Sequence, residues 1–184
     1  MKNKRNVLYG LATIIVGLIY FSGFAQQKNA AHRVSFSGEW RTKESIAMDG
    51  NIVCCYNSGD RMLAKTMNIT EQVNCLTVEV SSAFPGTAPV TSREKLTFDG
   101  KPGVIDYGPG RGKKFTVKLS ADGRTMTVNS TVHLTMVGQK QSFVYVTEIW
   151  KLSNDGRTIS VQASARSGVI GRERLWETVF NKVG

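Results

Sequence analysis

The 184-residue chain is poor in the side chains that most chemistry requires. It has two histidines, His32 and His133, far apart and without a matching pair of carboxylates, which is not a metal-ligand set. Its three cysteines, Cys54, Cys55 and Cys75, have no histidine near them in sequence, which argues against zinc. No serine or cysteine stands in a recognisable nucleophile setting. The glycine-rich stretch 101–112 lacks the strand–loop–helix surroundings of a phosphate-binding loop. No long basic stretch interleaves with aromatics, so a nucleic-acid reader is not expected. Almost nothing carries helical periodicity. These absences lead us to expect no enzyme, no cofactor and no metal.

What the chain does have is a repeated hairpin. Leu119-Ser-Ala-Asp-Gly-Arg-Thr-Met-Thr-Val returns 33 residues later as Leu152-Ser-Asn-Asp-Gly-Arg-Thr-Ile-Ser-Val. Each copy is an apolar strand, an Asp-Gly turn and a second strand, and two in series mark an antiparallel meander.

The N-terminus reads differently. Lys2, Lys4 and Arg5 precede a stretch from Asn6 to Gln27 with no charge, and Gly23-Phe-Ala25 puts small residues where a signal peptidase cuts. Residues 1–25 therefore read as a secretory signal, 26–35 as a short leader and 36–184 as one domain. The alternative is a retained membrane anchor, since the apolar run approaches a bilayer span. With cleavage no stable membrane span remains, and the domain is periplasmic or secreted. The formal charge of +10 falls to +7 once the three basic residues of the signal are removed. The remaining basic residues, Lys113-Lys114 and Arg124 among them, read as solvated positive surface. Export permits a disulfide from Cys54 or Cys55 to Cys75; three free thiols are the alternative.

Strands are expected at 39–42, 52–56, 64–69, 75–80, 95–98, 113–119, 125–136, 143–152, 158–163 and 172–180. Val144, Val146, Trp150 and Leu152 share one face, as do Phe115, Val117 and Leu119. Residues 81–90 and 101–112 read as connections; the second holds four glycines and two prolines and is poorly suited to a ladder. Eight to ten sequential antiparallel strands predict an all-β fold, an up-and-down barrel whose closure removes exposed edges. A two-sheet sandwich is the main rival.

Phe36-Ser-Gly38-Glu-Trp40 opens the domain, and Thr147-Glu-Ile-Trp150-Lys-Leu-Ser-Asn-Asp-Gly156 forms its late hairpin. With these residues the chain resembles the lipocalin-like (calycin) barrels, above all small exported bacterial members of unknown function. The resemblance implies that Trp40 closes the barrel floor beneath a basic side chain near the last strand, with Arg172, Arg174 and Lys182 as candidates. It also implies that the interior takes a small hydrophobic or amphipathic ligand.

Glu148 is the most informative polar position, because it has the parity of Val146 and Trp150 and is expected to point inward. A buried carboxylate needs a partner, and Arg174, in phase with Trp176 and Phe180, is the candidate. Glu148, Trp150, Arg174, Trp176, Phe115 and Val146 are thus the expected ligand-binding residues, with an internal ion pair as the structural alternative for Glu148 and Arg174. His133 should face outward, and the Arg-Glu pairs at 93–94 and 172–174 read as surface charge. Reversible, non-catalytic ligand binding is the leading expectation. A packed barrel acting through its surface as an envelope module comes second. An enzyme, which would need Glu148, His133 and a cysteine in one cleft, is third.

Overall fold

The structure is a computed structural model describing residues 35–45, 64–82, 88, 90–135, 141–167 and 173–184; the side chains of residues 44, 45, 82, 90 and 134 are not described. The described residues fall in the compact unit Val34–Gly184. The expected signal, the leader up to residue 34, the strand at 52–56, His32, Cys54, Cys55 and Arg172 lie outside them.

Among the described residues ten strands follow in sequence: β1 (Gly38–Ser45), β2 (Ala64–Gln72), β3 (Cys75–Ser82), β4 (Val90–Thr97), β5 (Gly103–Asp106), β6 (Arg111–Leu119), β7 (Thr125–Leu134), β8 (Ser142–Leu152), β9 (Thr158–Ser167) and β10 (Arg174–Lys182). All pair antiparallel in one sheet, in the order β4-β3-β2-β1-β10-β9-β8-β7-β6-β5. Every hydrogen-bonded pair joins sequence neighbours except β1 with β10, where the two ends of the unit meet. The result is a nearly closed up-and-down barrel with a single seam between β4 and β5. A sandwich is excluded.

Two-residue alternation drives the curvature. In β8, burial alternates along all eleven residues, placing Val144, Val146, Glu148, Trp150 and Leu152 inside. Burying one face of each strand is what holds such a sheet together, at about 25 cal/mol per Å² of apolar area removed from water. The core is densest where Trp40, Met67, Ile69, Leu76, Leu96, Met126, Trp150, Ile159 and Phe180 meet, all 2% exposed or less.

The repeated hairpins are closed by the same bonds. Ser120 Oγ donates to Asp122 Oδ1 at 2.5 Å, Arg124 N donates to the same oxygen at 3.0 Å, and Gly123 N reaches Ser120 O at 2.9 Å. In the second copy Ser153 Oγ, Arg157 N and Gly156 N make the matching bonds at 2.6, 3.0 and 3.0 Å. Gly123 and Gly156 adopt φ of 71° and 68°, which glycine tolerates without strain. The hydroxyl and amide donors hold both aspartates below the ordinary value of 3.8, the serine hydroxyl first in each case. The Arg124 guanidinium donates to Asn154 Oδ1, tying the first turn to the second.

Two expectations are corrected by position. β4 begins at Val90 instead of residue 95 because its inward residues are Ser92 and Glu94, and these break the apolar alternation. β5 forms inside the stretch read as a connection. It is a four-residue strand bonded on one side only, directly after Pro102, and the Phe115 ring lies where a side chain on Gly103 would stand. An edge strand needs half the ladder bonds of a central one, which makes glycine and proline tolerable there.

Candidate functional site

Cross-strand register stacks the inward side chains in rows. One row runs Phe115, Ser130, Val146, Ala165, Arg174 across β6 to β10. The next runs Val117, Val128, Glu148, Ala163, Trp176, and the one beyond it Leu119, Met126, Trp150, Val161, Thr178. Five of the six expected ligand residues therefore lie on two adjacent rows. Trp150 sits one row further toward the hairpin turns. Trp40 belongs to a different part of the interior.

Around Trp40 the contacts are specific. Its Nε1 donates to Phe36 O at 2.9 Å, and Lys182 Nζ lies 5.3 Å from the ring centroid. Of the two basic candidates among the described residues, Arg174 and Lys182, Lys182 is the one over the ring. Lys182 also crosses Gly38, whose φ of 131° is one that side-chain-bearing residues rarely adopt; a Cβ there would stand 2.7 Å from Lys182 Cε. The Gly-x-Trp spacing thus has a local cause: the glycine clears the way for the lysine to reach the tryptophan. Glu71 fastens the segment before it, accepting from Ser35 Oγ at 2.7 Å and from Phe36 N at 3.2 Å.

Glu148 is buried, 1% exposed, and accepts from Trp150 Nε1 at 3.0 Å. This corrects the expected pairing with Arg174. The register sets Arg174 opposite Ala165, one row away from Glu148, and gives the carboxylate the indole N–H on its own strand instead. Arg174 is half-buried and its Nε has no hydrogen-bond partner among the described residues. Ser130, 5% exposed, is in the same state at its Oγ. Between them on the row stand only Val146 and Ala165.

The largest surprise lies at the seam. Lys113 and Glu94, both read as surface charge, are buried at 3% and 8% exposure. Lys113 Nζ lies 3.5 Å from Glu94 Oε1 and 5.9 Å from the Phe115 centroid. The pair joins β6 to β4, the two strands brought together where no ladder hydrogen bond closes the ring. Parity held the signal for this: Lys113 is in phase with Phe115 and Val117, and Glu94 with Leu96. Ser130, in phase with Val128 and Val132, was legible in the same way.

His133 is half-buried on the outer face, its imidazole lying over Gly112, which has no side chain to displace it. It does not share a cleft with the inward Glu148. Cys75 is a buried free thiol whose Sγ donates to Gln72 Oε1 at 3.2 Å. Among the described residues no three histidine, cysteine or carboxylate side chains are grouped to hold a metal, and no helix is long and apolar enough to cross a membrane.

The interior thus combines a tightly packed aromatic end, a polar row with two unpartnered atoms, and a charged clasp at the seam. Compared with known proteins, the chain matches no family model, no curated protein and no solved structure.

Proposed function

We propose that this protein is an exported, lipocalin-like carrier that binds a small amphipathic molecule reversibly inside its barrel and performs no chemistry on it. The reading rests on one observation. Ser130 Oγ and Arg174 Nε are both buried without a hydrogen-bond partner among the described residues, on one row, separated only by small apolar side chains. Leaving a buried donor unsatisfied costs about 1–3 kcal/mol. A ligand head group that accepts hydrogen bonds recovers that cost. The ligand's apolar part would lie against Phe115, Val146 and Trp176, gaining from buried area in the usual way. The glycine, tryptophan and lysine arrangement at Gly38, Trp40 and Lys182 supports the family reading. The apolar N-terminal segment, with its small residues before Gln26, supports export to the periplasm or medium.

Native mass spectrometry of protein purified from its own host, followed by solvent extraction, tests the proposal. A carboxylate-bearing or otherwise acceptor-headed amphiphile should co-purify at one per chain, and Arg174→Leu should release it. Protein that is empty from every growth condition, and whose tryptophan fluorescence is unmoved by a fatty-acid titration, would defeat the reading.

A further inference from the structure

The outer face of β5–β9 has its own organisation, which ligand binding inside the barrel leaves unused. Val104, Lys114, Thr131, Tyr145 and Arg166 lie side by side on one cross-strand row. Tyr145 is 55% exposed and Phe143, two residues away on the same face of β8, is 43% exposed. A shallow concavity of about 440 Å³ surrounds Tyr145, bounded by Lys114, Thr116, Asn129, Thr131 and Thr147. Thr147 Oγ1 donates to Asn129 Oδ1 at 2.9 Å, which orients the exposed amide.

We propose that this face binds an anionic glycan, a chain of sugars bearing carboxylates. An exposed tyrosine ring within a sheet offers a flat apolar face with a polar tip, suited to the C–H face of a sugar ring. Three threonine hydroxyls and an oriented asparagine amide beside it supply the donors and acceptors that a polyol consumes. The charge identifies the class. Lys114 and Arg166 flank Tyr145 on its own row, three strands apart, roughly 14 Å at ~4.8 Å per strand. The described residues lining the concavity include no carboxylate. A neutral glycan would leave both cations unused. A membrane surface fits less well, because Tyr145 stands among threonine and asparagine side chains and not in a continuous apolar patch.

The test is titration calorimetry on the full exported chain, with uronic-acid oligomers as probes, a neutral malto-oligosaccharide of equal length as control, and vesicles containing phosphatidylglycerol as the competing surface. Uronate oligomers should bind and weaken with salt, and the neutral oligomer should bind ~10-fold more weakly or not at all. Tyr145→Ala, and Lys114→Gln with Arg166→Gln, should each cost about tenfold in affinity, while Tyr145→Phe retains binding and Arg174→Leu, inside the barrel, has no effect. These side chains point outward, so an unchanged urea midpoint verifies folding; if one variant loses its fold, the other decides. Failure of every uronate oligomer, equal binding of the neutral one, indifference to Tyr145→Ala, or vesicle binding that Tyr145→Ala abolishes would overturn the proposal.

Discussion

Removing one member of the Lys113–Glu94 pair should damage the protein more than removing both. The charges are 3.5 Å apart and almost fully buried. At an effective dielectric constant near 20 their attraction is about 5 kcal/mol. Taking each ion out of water costs several kcal/mol, so the intact pair is close to break-even. Lys113→Met takes the ammonium away from the buried Glu94 carboxylate, and Glu94→Leu takes the carboxylate away from the buried ammonium. Each single variant should lose about 3–5 kcal/mol, which for a domain of this size lowers the melting temperature by roughly 6–20 °C. The double variant fills the same volume with apolar atoms at the point where β4 meets β6, and should return to within about 1 kcal/mol of the parent or exceed it. Urea denaturation of the four proteins gives the coupling energy directly. Two results would refute the reasoning: single variants that cost less than about 1 kcal/mol, as for a pair in water, or a double variant whose loss is the sum of the two.

Gly38→Ala forces a side chain into a φ of 131° and against Lys182 Cε, and should cost roughly 1–3 kcal/mol by urea unfolding; Lys182→Met alone should cost much less. Asp122 and Asp155 titrate below 3.8 in the folded chain, so their contribution is fully present above that value and is lost as pH falls through the folded values. Unfolding midpoints recorded from pH 5 to pH 2 should fall less steeply below pH 3.8 in the Asp122→Asn, Asp155→Asn double variant; an unchanged acid limb would count against the turn bonds. Trp40→Ala should cost about 3–5 kcal/mol, since the ring is fully buried and its void is hard to refill.

The legibility of the site followed the chemistry of each position. Phe115, Val146 and Glu148 were placed inward correctly because apolar neighbours two residues apart advertise the buried face. Lys113 and Glu94 escaped notice because a charged residue is read as solvated until its strand partner is known. The part of β9 after Ala163 was missed because Ser164, Ala165 and Ser167 carry too little apolar contrast to alternate visibly. Arg174 was assigned the right face and the wrong partner. Parity tells which side a residue faces, whereas pairing depends on register between strands, and a shift of one row exchanges Glu148 for Val146.

By itself the sequence determined what is local: the fold class, from two-residue alternation; the twin hairpins, from Ser-x-Asp-Gly-Arg-Thr; and the inward face of most strands. Only the tertiary structure decided what depends on strands far apart in the chain. It joined β1 to β10, left the ring open at β4 and β5, and set a lysine and a glutamate across that gap. It also put Lys182 over Trp40. A strand's pattern records which side meets the core; the partner across that core comes from register and closure, which no single segment contains.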